Sequence, residues 1–257
     1  MENKDKRYPL SVCMIVKNEE RRLEDALKSV SWASEIIILD DESTDKTVEI
    51  AKRYTDKIFH RKMDIEGRQR NFSYSKASEE WMLSLDADER VTPELARSLQ
   101  EMVSKPTSHN GFNIPIKTFI GDRWVKGAGY YPARKLRVFR KGKFTYEEER
   151  VHPRAQLQGT CGSLDGDVLH YSCQNFTQFI AKFNRETDLE AEKWIRDKRK
   201  VSFLNSFRKT IDRFLKFYFF KGGMQDGFMG FFMSTIHSLY QLHSYAKYWE
   251  KTRPPEK

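Results

Sequence analysis

Twice within the first ninety residues an apolar run stops on clustered carboxylates: Ile36-Ile37-Ile38-Leu39 on Asp40-Asp41-Glu42, and Trp81-Met82-Leu83-Ser84-Leu85 on Asp86-Ala87-Asp88-Glu89. Runs of this length and composition read as buried strands. With Ser11-Val12-Cys13-Met14-Ile15-Val16 and a further short run, four strands are expected near 11–16, 35–40, 57–61 and 81–86. Helical patterns separate them. Leu23, Ala26, Leu27 and Val30 share one face, and Ser43, Thr44 and Asp45 can cap a helix through Val48, Ile50 and Ala51. Alternation of this kind argues for an α/β fold, a parallel sheet covered by helices. Such sheets bind ligands at the carboxyl ends of their strands, so both acidic clusters should open on one crevice.

Asp86, Asp88 and Glu89 concentrate negative charge that repels itself unless a cation offsets it. Hard oxygen donors suit Mg²⁺ or Mn²⁺, ions that commonly hold phosphate-bearing ligands. The competing reading is a solvated acidic turn ahead of the helix starting near Thr92-Pro93-Glu94. The second acidic strand end, at Asp40, favours the cation.

The order Ser-Val-Cys-Met-Ile-Val-Lys-Asn-Glu (11–19), Leu-Asp-Asp-Glu-Ser-Thr-Asp (39–45), Arg-Gln-Arg-Asn (68–71) and Leu-Asp-Ala-Asp-Glu (85–89) resembles family 2 glycosyltransferases with the GT-A, Rossmann-like nucleotide-sugar-binding fold. Four later stretches extend the likeness: Gly129-Tyr130-Tyr131-Pro132 with Arg134 and Arg137, Tyr146 to His152, Leu164 to His170, and Gly223-Met224-Gln225-Asp226-Gly227. They look like the WaaE/KdtX branch, β-1,4-glucosyltransferases of the lipopolysaccharide inner core. The resemblance implies a UDP-sugar donor carrying a hexose such as glucose, a lipopolysaccharide-core or other lipid-linked glycan acceptor, and a divalent cation.

By the same resemblance Asp88 is the metal ligand, with Asp86 near the ribose or in the metal shell. Asp40 and Asp41 match the position that recognises uracil, where a carboxylate can accept the N3 hydrogen. Arg68 and Arg70 fall where a basic side chain meets the nucleotide, Arg70 matching better; a surface helix face would look the same. Inversion at the anomeric carbon needs a carboxylate base for the acceptor hydroxyl. The family places it shortly before a Val-His pair, here Val151-His152, so Glu147, Glu148 and Glu149 compete and alignment favours Glu148. Relatives usually carry an acid after that pair, where this chain has Pro153. His170, at the end of an apolar strand, could complete the metal shell or bind diphosphate, or be structural. Trp124, Tyr130 and Tyr131 lie in or beside a Gly-rich loop and could stack on sugar faces; Arg134, Arg137 and His152 accompany them as donor or acceptor contacts.

The formal charge of +9 is unevenly placed: residues 199–257 carry +7 of it. Between Val201 and Lys221 the residues Phe203, Phe207, Ile211, Phe214, Leu215 and Tyr218 recur at helical spacing among Arg208, Lys209, Arg213 and Lys216. That pattern suits a helix lying on a cytoplasmic membrane surface, or one docked on the catalytic domain with a solvated basic face. Gly227 to Ala246 lacks Asp, Glu, Lys and Arg, yet its Ser, Thr, His and Gln are too frequent for a lipid-facing span. The expected organisation is a GT-A domain at 8–174, with a nucleotide half to about 105 and an acceptor half from 106, followed by a basic, amphipathic helical extension at 175–257.

No apolar stretch of the signal-peptide kind follows Met1 to Arg7, and Cys13, Cys161 and Cys173 show no metal spacing. The expectation is a cytoplasmic enzyme, peripheral on the inner face of the membrane. The basic tail lacks a nucleic-acid module, so nucleic acid is not an expected partner. A sugar nucleotidyltransferase should carry a Gly-rich phosphate loop after its first strand, and Lys17-Asn18-Glu19-Glu20 is none. A non-catalytic scaffold of the same fold is the other alternative.

Overall fold

A computed structural model describes residues 6–148 and 154–253. The first half alternates strand and helix: β1 (Tyr8–Val16), α1 (Leu23–Ser29), β2 (Ala33–Asp40), α2 (Thr47–Ala51), β3 (Ile58–His60), α3 (Glu66–Ser75) and β4 (Trp81–Ser84). A short β5 (Glu89–Val91) and α4 (Pro93–Val103) follow. Thr92 caps α4 by accepting a hydrogen bond from the Leu95 amide, and Pro93 fits the first helical turn, where its missing N–H is not needed. Next come β6 (Gly111–Ile120), β7 (Arg123–Trp124), β8 (Ala133–Arg140), β9 (Phe144–Tyr146), β10 (Ala155–Leu157), β11 (Cys161–Ser163) and β12 (Val168–Cys173). The C-terminal part is helical: α5 (Phe176–Arg196), α6 (Phe203–Leu215) continuing as a π turn through Phe220, and α7 (Gly227–Thr252).

The chain divides into two compact units, residues up to Ile116 with Arg134–His170, and Lys117–Ala133 with Tyr171 onward. The sheet of the first runs β3-β2-β1-β4-β8-β6-β12-β5. β1 lies parallel between β2 and β4, whereas β8 joins β4 antiparallel. The strands at its centre read as unbroken apolar runs because both faces are covered. Val12, Met14, Ile36, Ile38 and Leu83 pack on one face with Leu23 and Leu27 of α1 and Leu95 and Leu99 of α4. Cys13, Ile37, Met82 and Phe139 face the other way, against Tyr74 of α3.

In the second unit Ile120, Val125, Ala128 and Met233 form a buried cluster, with Phe176, Phe179, Phe217 and Phe232 around it. The polar residues of α7 have places inside this unit. Ser238 and Ser244 are buried and bond carbonyls of their own helix, the Tyr240 hydroxyl reaches the Glu186 carbonyl, and His237 stacks on Phe217 with ring centroids 4.7 Å apart. Burial and the nearby Arg213 lower the His237 imidazole to about 4. Among the described residues no helix is long and apolar enough to cross a membrane.

Candidate active site

The two acidic strand ends open on the same sheet edge. Val16 of β1 is level with Asp40 of β2, and Cys13 is level with Ser84 of β4, which puts Asp86 beside the height of Ile15. Parallel neighbours a strand spacing either side of β1 place the clusters about 10 Å apart across it.

The loops after β1 and β2 are laced together by the residues of the two motifs. Asn18, at φ 54°, accepts from the Thr44 amide (2.8 Å), and its own amide bonds Ser43 Oγ (3.0 Å). Thr47 Oγ1 accepts from the Glu19 amide and Asp45 from the Glu20 amide. Asn tolerates the left-handed conformation better than most residues, which suits this turn. Asp40 is buried and accepts from the Ser43 amide, with His60 Nδ1 3.1 Å away. Asp41 bonds the Met63 amide (2.7 Å) and the Lys17 ammonium (3.0 Å). Burial alone would raise the Asp41 carboxyl, but these two partners outweigh it and lower the pKa.

Asp86 meets two guanidinium groups. Arg70 Nη2 donates to Oδ1 at 3.1 Å and Arg137 Nη2 to Oδ2 at 3.3 Å, while the same Arg137 nitrogen bonds Glu89. Burial opposes ionisation of Asp86, yet Arg70 and Arg137 hold its carboxyl well below the usual range. Glu89 is fully buried, and burial pushes its carboxyl up despite Arg137. The charge repulsion inferred from sequence is therefore balanced in part by two arginines, Arg137 coming from β8. Asp88 is differently placed. Its Oδ2 lies 3.5 Å from His170 Nε2 and 3.8 Å from Arg22 Nη1. Pairing of β12 with β5 sets His170 beside Glu89 and so near Asp88.

Among the described residues no group of three or more His, Cys, Asp or Glu side chains is placed to hold a metal ion. Asp88 and His170 make a pair of donors, one oxygen and one imidazole nitrogen. Such a pair fits a cation that takes most of its remaining oxygens from a phosphate ligand and water.

Glu148 accepts from Arg68 Nε at 3.0 Å, and Arg68 also bonds Asp64, so Arg68 is tied to carboxylates on the protein surface. Glu147 accepts from Gln156 Nε2 (3.2 Å) across the β9–β10 hairpin. Glu149 and His152 lie outside the described residues. Asn71 fixes this hairpin by bonding both backbone groups of Tyr146, amide to Oδ1 at 2.8 Å and Nδ2 to carbonyl at 2.9 Å. The motif Arg-Gln-Arg-Asn contained Asn71, but no local pattern announced a partner 75 residues away. Arg22 and His60, each beside a site carboxylate, were equally silent in the sequence. Arg134 bonds the Leu164 carbonyl at 3.3 Å.

In the second unit Trp124 and Tyr131 meet edge to face at 5.2 Å, with Lys117 over both rings and Lys126 over Trp124. Tyr130 instead packs with the buried cluster, 5.2 Å from the His237 ring. Asp226 holds the amides of Lys126 and Gly127 at 2.9 Å each. Lys126, Tyr131, Lys221 and Gln225 line a cavity of about 550 Å³ beside this turn.

Residues 11–158 match the family model for glycosyl transferase family 2. The lipopolysaccharide core biosynthesis glycosyltransferase LpsC of Rhizobium meliloti is 26% identical, covering 95% of this chain and 93% of its own. An uncharacterized glycosyltransferase of Rickettsia typhi is 28% identical over 93% of this chain and 86% of its own. Among solved structures, S. aureus TarS 1-349 aligns over 96% of this chain and 93% of its own, with a TM-score of 0.48 and 14% identity. The match to the family model spans more than half of the chain and includes both acidic strand ends, so this protein belongs to glycosyl transferase family 2.

Proposed function

We propose that this glycosyltransferase moves a hexose, glucose in the reading we favour, from a UDP-sugar to a lipopolysaccharide inner-core glycan or another lipid-linked glycan, with inversion. The observation that carries the reading is the placement of Asp40 and of the Asp86–Asp88 pair at the carboxyl ends of parallel strands on either side of β1. LpsC, named for lipopolysaccharide core biosynthesis and similar along nearly its whole length, supports the acceptor class.

In this reading Asp40 and Asp41 receive the uracil and Asp86 the ribose. Arg70 and Arg137 keep Asp86 ionised and fixed, and the buried Nε of Arg137, without a hydrogen-bond partner among the described residues, is a donor that a ligand oxygen would satisfy. Asp88 and His170 would hold Mg²⁺ or Mn²⁺, which when bound offsets the charge that builds on the departing diphosphate. Glu148, with Glu147 and Glu149 as neighbours, takes the proton from the acceptor hydroxyl on the face opposite the leaving group. The Arg68 guanidinium bonded to Glu148 would have to yield when the acceptor binds. An acceptor of this class is anchored in lipid, so the enzyme would work at the inner face of the cytoplasmic membrane.

The test is transfer itself. Membranes from cells lacking the gene, incubated with the protein and labelled UDP-sugars, should gain label in a lipid-linked glycan, most from UDP-glucose. Absence of label from every UDP-sugar would overturn the reading.

A further inference from the structure

The C-terminal helices leave an apolar face that none of the described residues of their own unit covers. Leu204, Phe207, Ile211 and Leu215 follow one another along α6 at spacings of three and four residues, which lines them up on one side of the helix. All four are exposed, Leu204 at 76%. The face continues past α6 through Phe219 and Phe220, the latter 81% exposed. It reaches α7 through Phe231, whose ring meets both Phe214 and Tyr218 at 5.9 Å, and Phe228, exposed at 71%. The opposite side of α6 is the packed one, where Ser206 is buried. A soluble monomer rarely leaves so many large side chains exposed together without a use.

The charge beside this face indicates what covers it. Residues 203–221 contain Arg208, Lys209, Arg213, Lys216 and Lys221 against the single acid Asp212. Arg208, Lys216 and Lys221 are exposed. A second copy of the chain docked face to face would bring these cations together and be repelled. A sheet of anionic headgroups over an acyl layer would instead pair with the basic side chains and accept the Phe and Leu side chains a few ångströms deep. Spanning is a different matter. The Ser and Gln residues of α7 are buried against their own unit, and no described helix is apolar enough to cross.

We propose that the Leu204–Phe231 face is a docking surface for an anionic lipid bilayer, with α6 lying in the plane of the interface. The proposal deepens the functional reading and rests only on its membrane-surface part, since it needs neither donor nor acceptor chemistry.

Flotation of the full chain with phosphatidylcholine vesicles, with and without phosphatidylglycerol, tests it. The chain should float with the anionic vesicles at low salt and much less with neutral ones or at high salt. Replacing Leu204, Phe220 and Phe228 together by Ser should weaken flotation at least about tenfold. Because all three are exposed, far-UV circular dichroism and UDP affinity should stay unchanged, which separates failure of docking from failure of the transferase reading. Arg208→Glu with Lys216→Glu should weaken anionic binding without touching the apolar face. No flotation with anionic vesicles would overturn the proposal, as would flotation indifferent to lipid charge and salt. So would a dimer in light scattering that the Ser variant dissolves while vesicle binding is absent.

Discussion

A single guanidinium nitrogen, Arg137 Nη2, is 3.3 Å from Asp86 Oδ2 while also bonding the buried Glu89, so a strand arriving about fifty residues later holds the acidic strand end together. Removing that cation leaves two buried or half-buried carboxylates short of a partner. Arg137→Ala should destabilise the fold by about 3–5 kcal/mol, measured by urea unfolding. A change below about 1 kcal/mol would mean that water or Arg70 replaces Arg137.

Asn71 lets α3 dictate where Glu147 and Glu148 stand. Asn71→Ala removes both bonds to Tyr146 and should lower kcat for transfer while leaving UDP affinity unchanged, a split that steady-state kinetics together with calorimetry would read. Equal loss of both would mark Asn71 as a part of the general fold only.

Glu148→Gln should keep the shape of the hairpin and reduce transfer by about 10²–10⁴-fold with donor binding intact. If Glu147→Gln alone has that effect, the base is its neighbour and the pairing of Glu148 with Arg68 is structural.

Glu35 offers a pH signature away from the site. Burial by itself would raise its carboxyl, but the Lys57 ammonium, the Ser11 hydroxyl and the amide and hydroxyl of Ser78 together lower it to about 2 from an ordinary value of 4.5. A lowered carboxylate stabilises the fold above the ordinary value, and that stability disappears as pH falls toward the folded value. Glu35→Gln should therefore unfold more easily than the parent near neutral pH, and the gap should close between about 4.5 and 2. A gap constant with pH would contradict the assigned partners.

How much of this was legible beforehand follows from how local each feature is. Tyr8–Val16, Ala33–Asp40, Ile58–His60 and Trp81–Ser84 fall on the four runs read as strands; in the first, second and fourth, burial on both faces writes an apolar run directly into the sequence, while the short third lies at the end of the sheet order with no residue buried. Ser43, Thr44 and Asp45 were read as capping side chains, yet Lys46 takes the N-cap of α2 without a side-chain bond, and of the three only Asp45 bonds the Thr47 amide. Ser43 and Asp45 instead receive amides from the loop after β1, a non-local role that composition does not reveal. Arg137 and Asn71 act 51 and 75 residues from their partners, and only the antiparallel return of β8 and the β9–β10 hairpin bring them there. The basic, aromatic pattern of 201–221 was visible as amphipathicity, but which side of the helix remains uncovered depends on packing against α7.

The central claim is that Asp40 and Asp88 serve one nucleotide-diphosphate site from two strands. Calorimetric titration of UDP into the protein with and without Mn²⁺ tests it most directly. The account predicts binding that strengthens with Mn²⁺, with the strengthening lost in Asp88→Ala and overall affinity reduced in Asp40→Ala. No UDP binding, or binding to Asp88→Ala that is as strong and as Mn²⁺-dependent as in the parent, would contradict it.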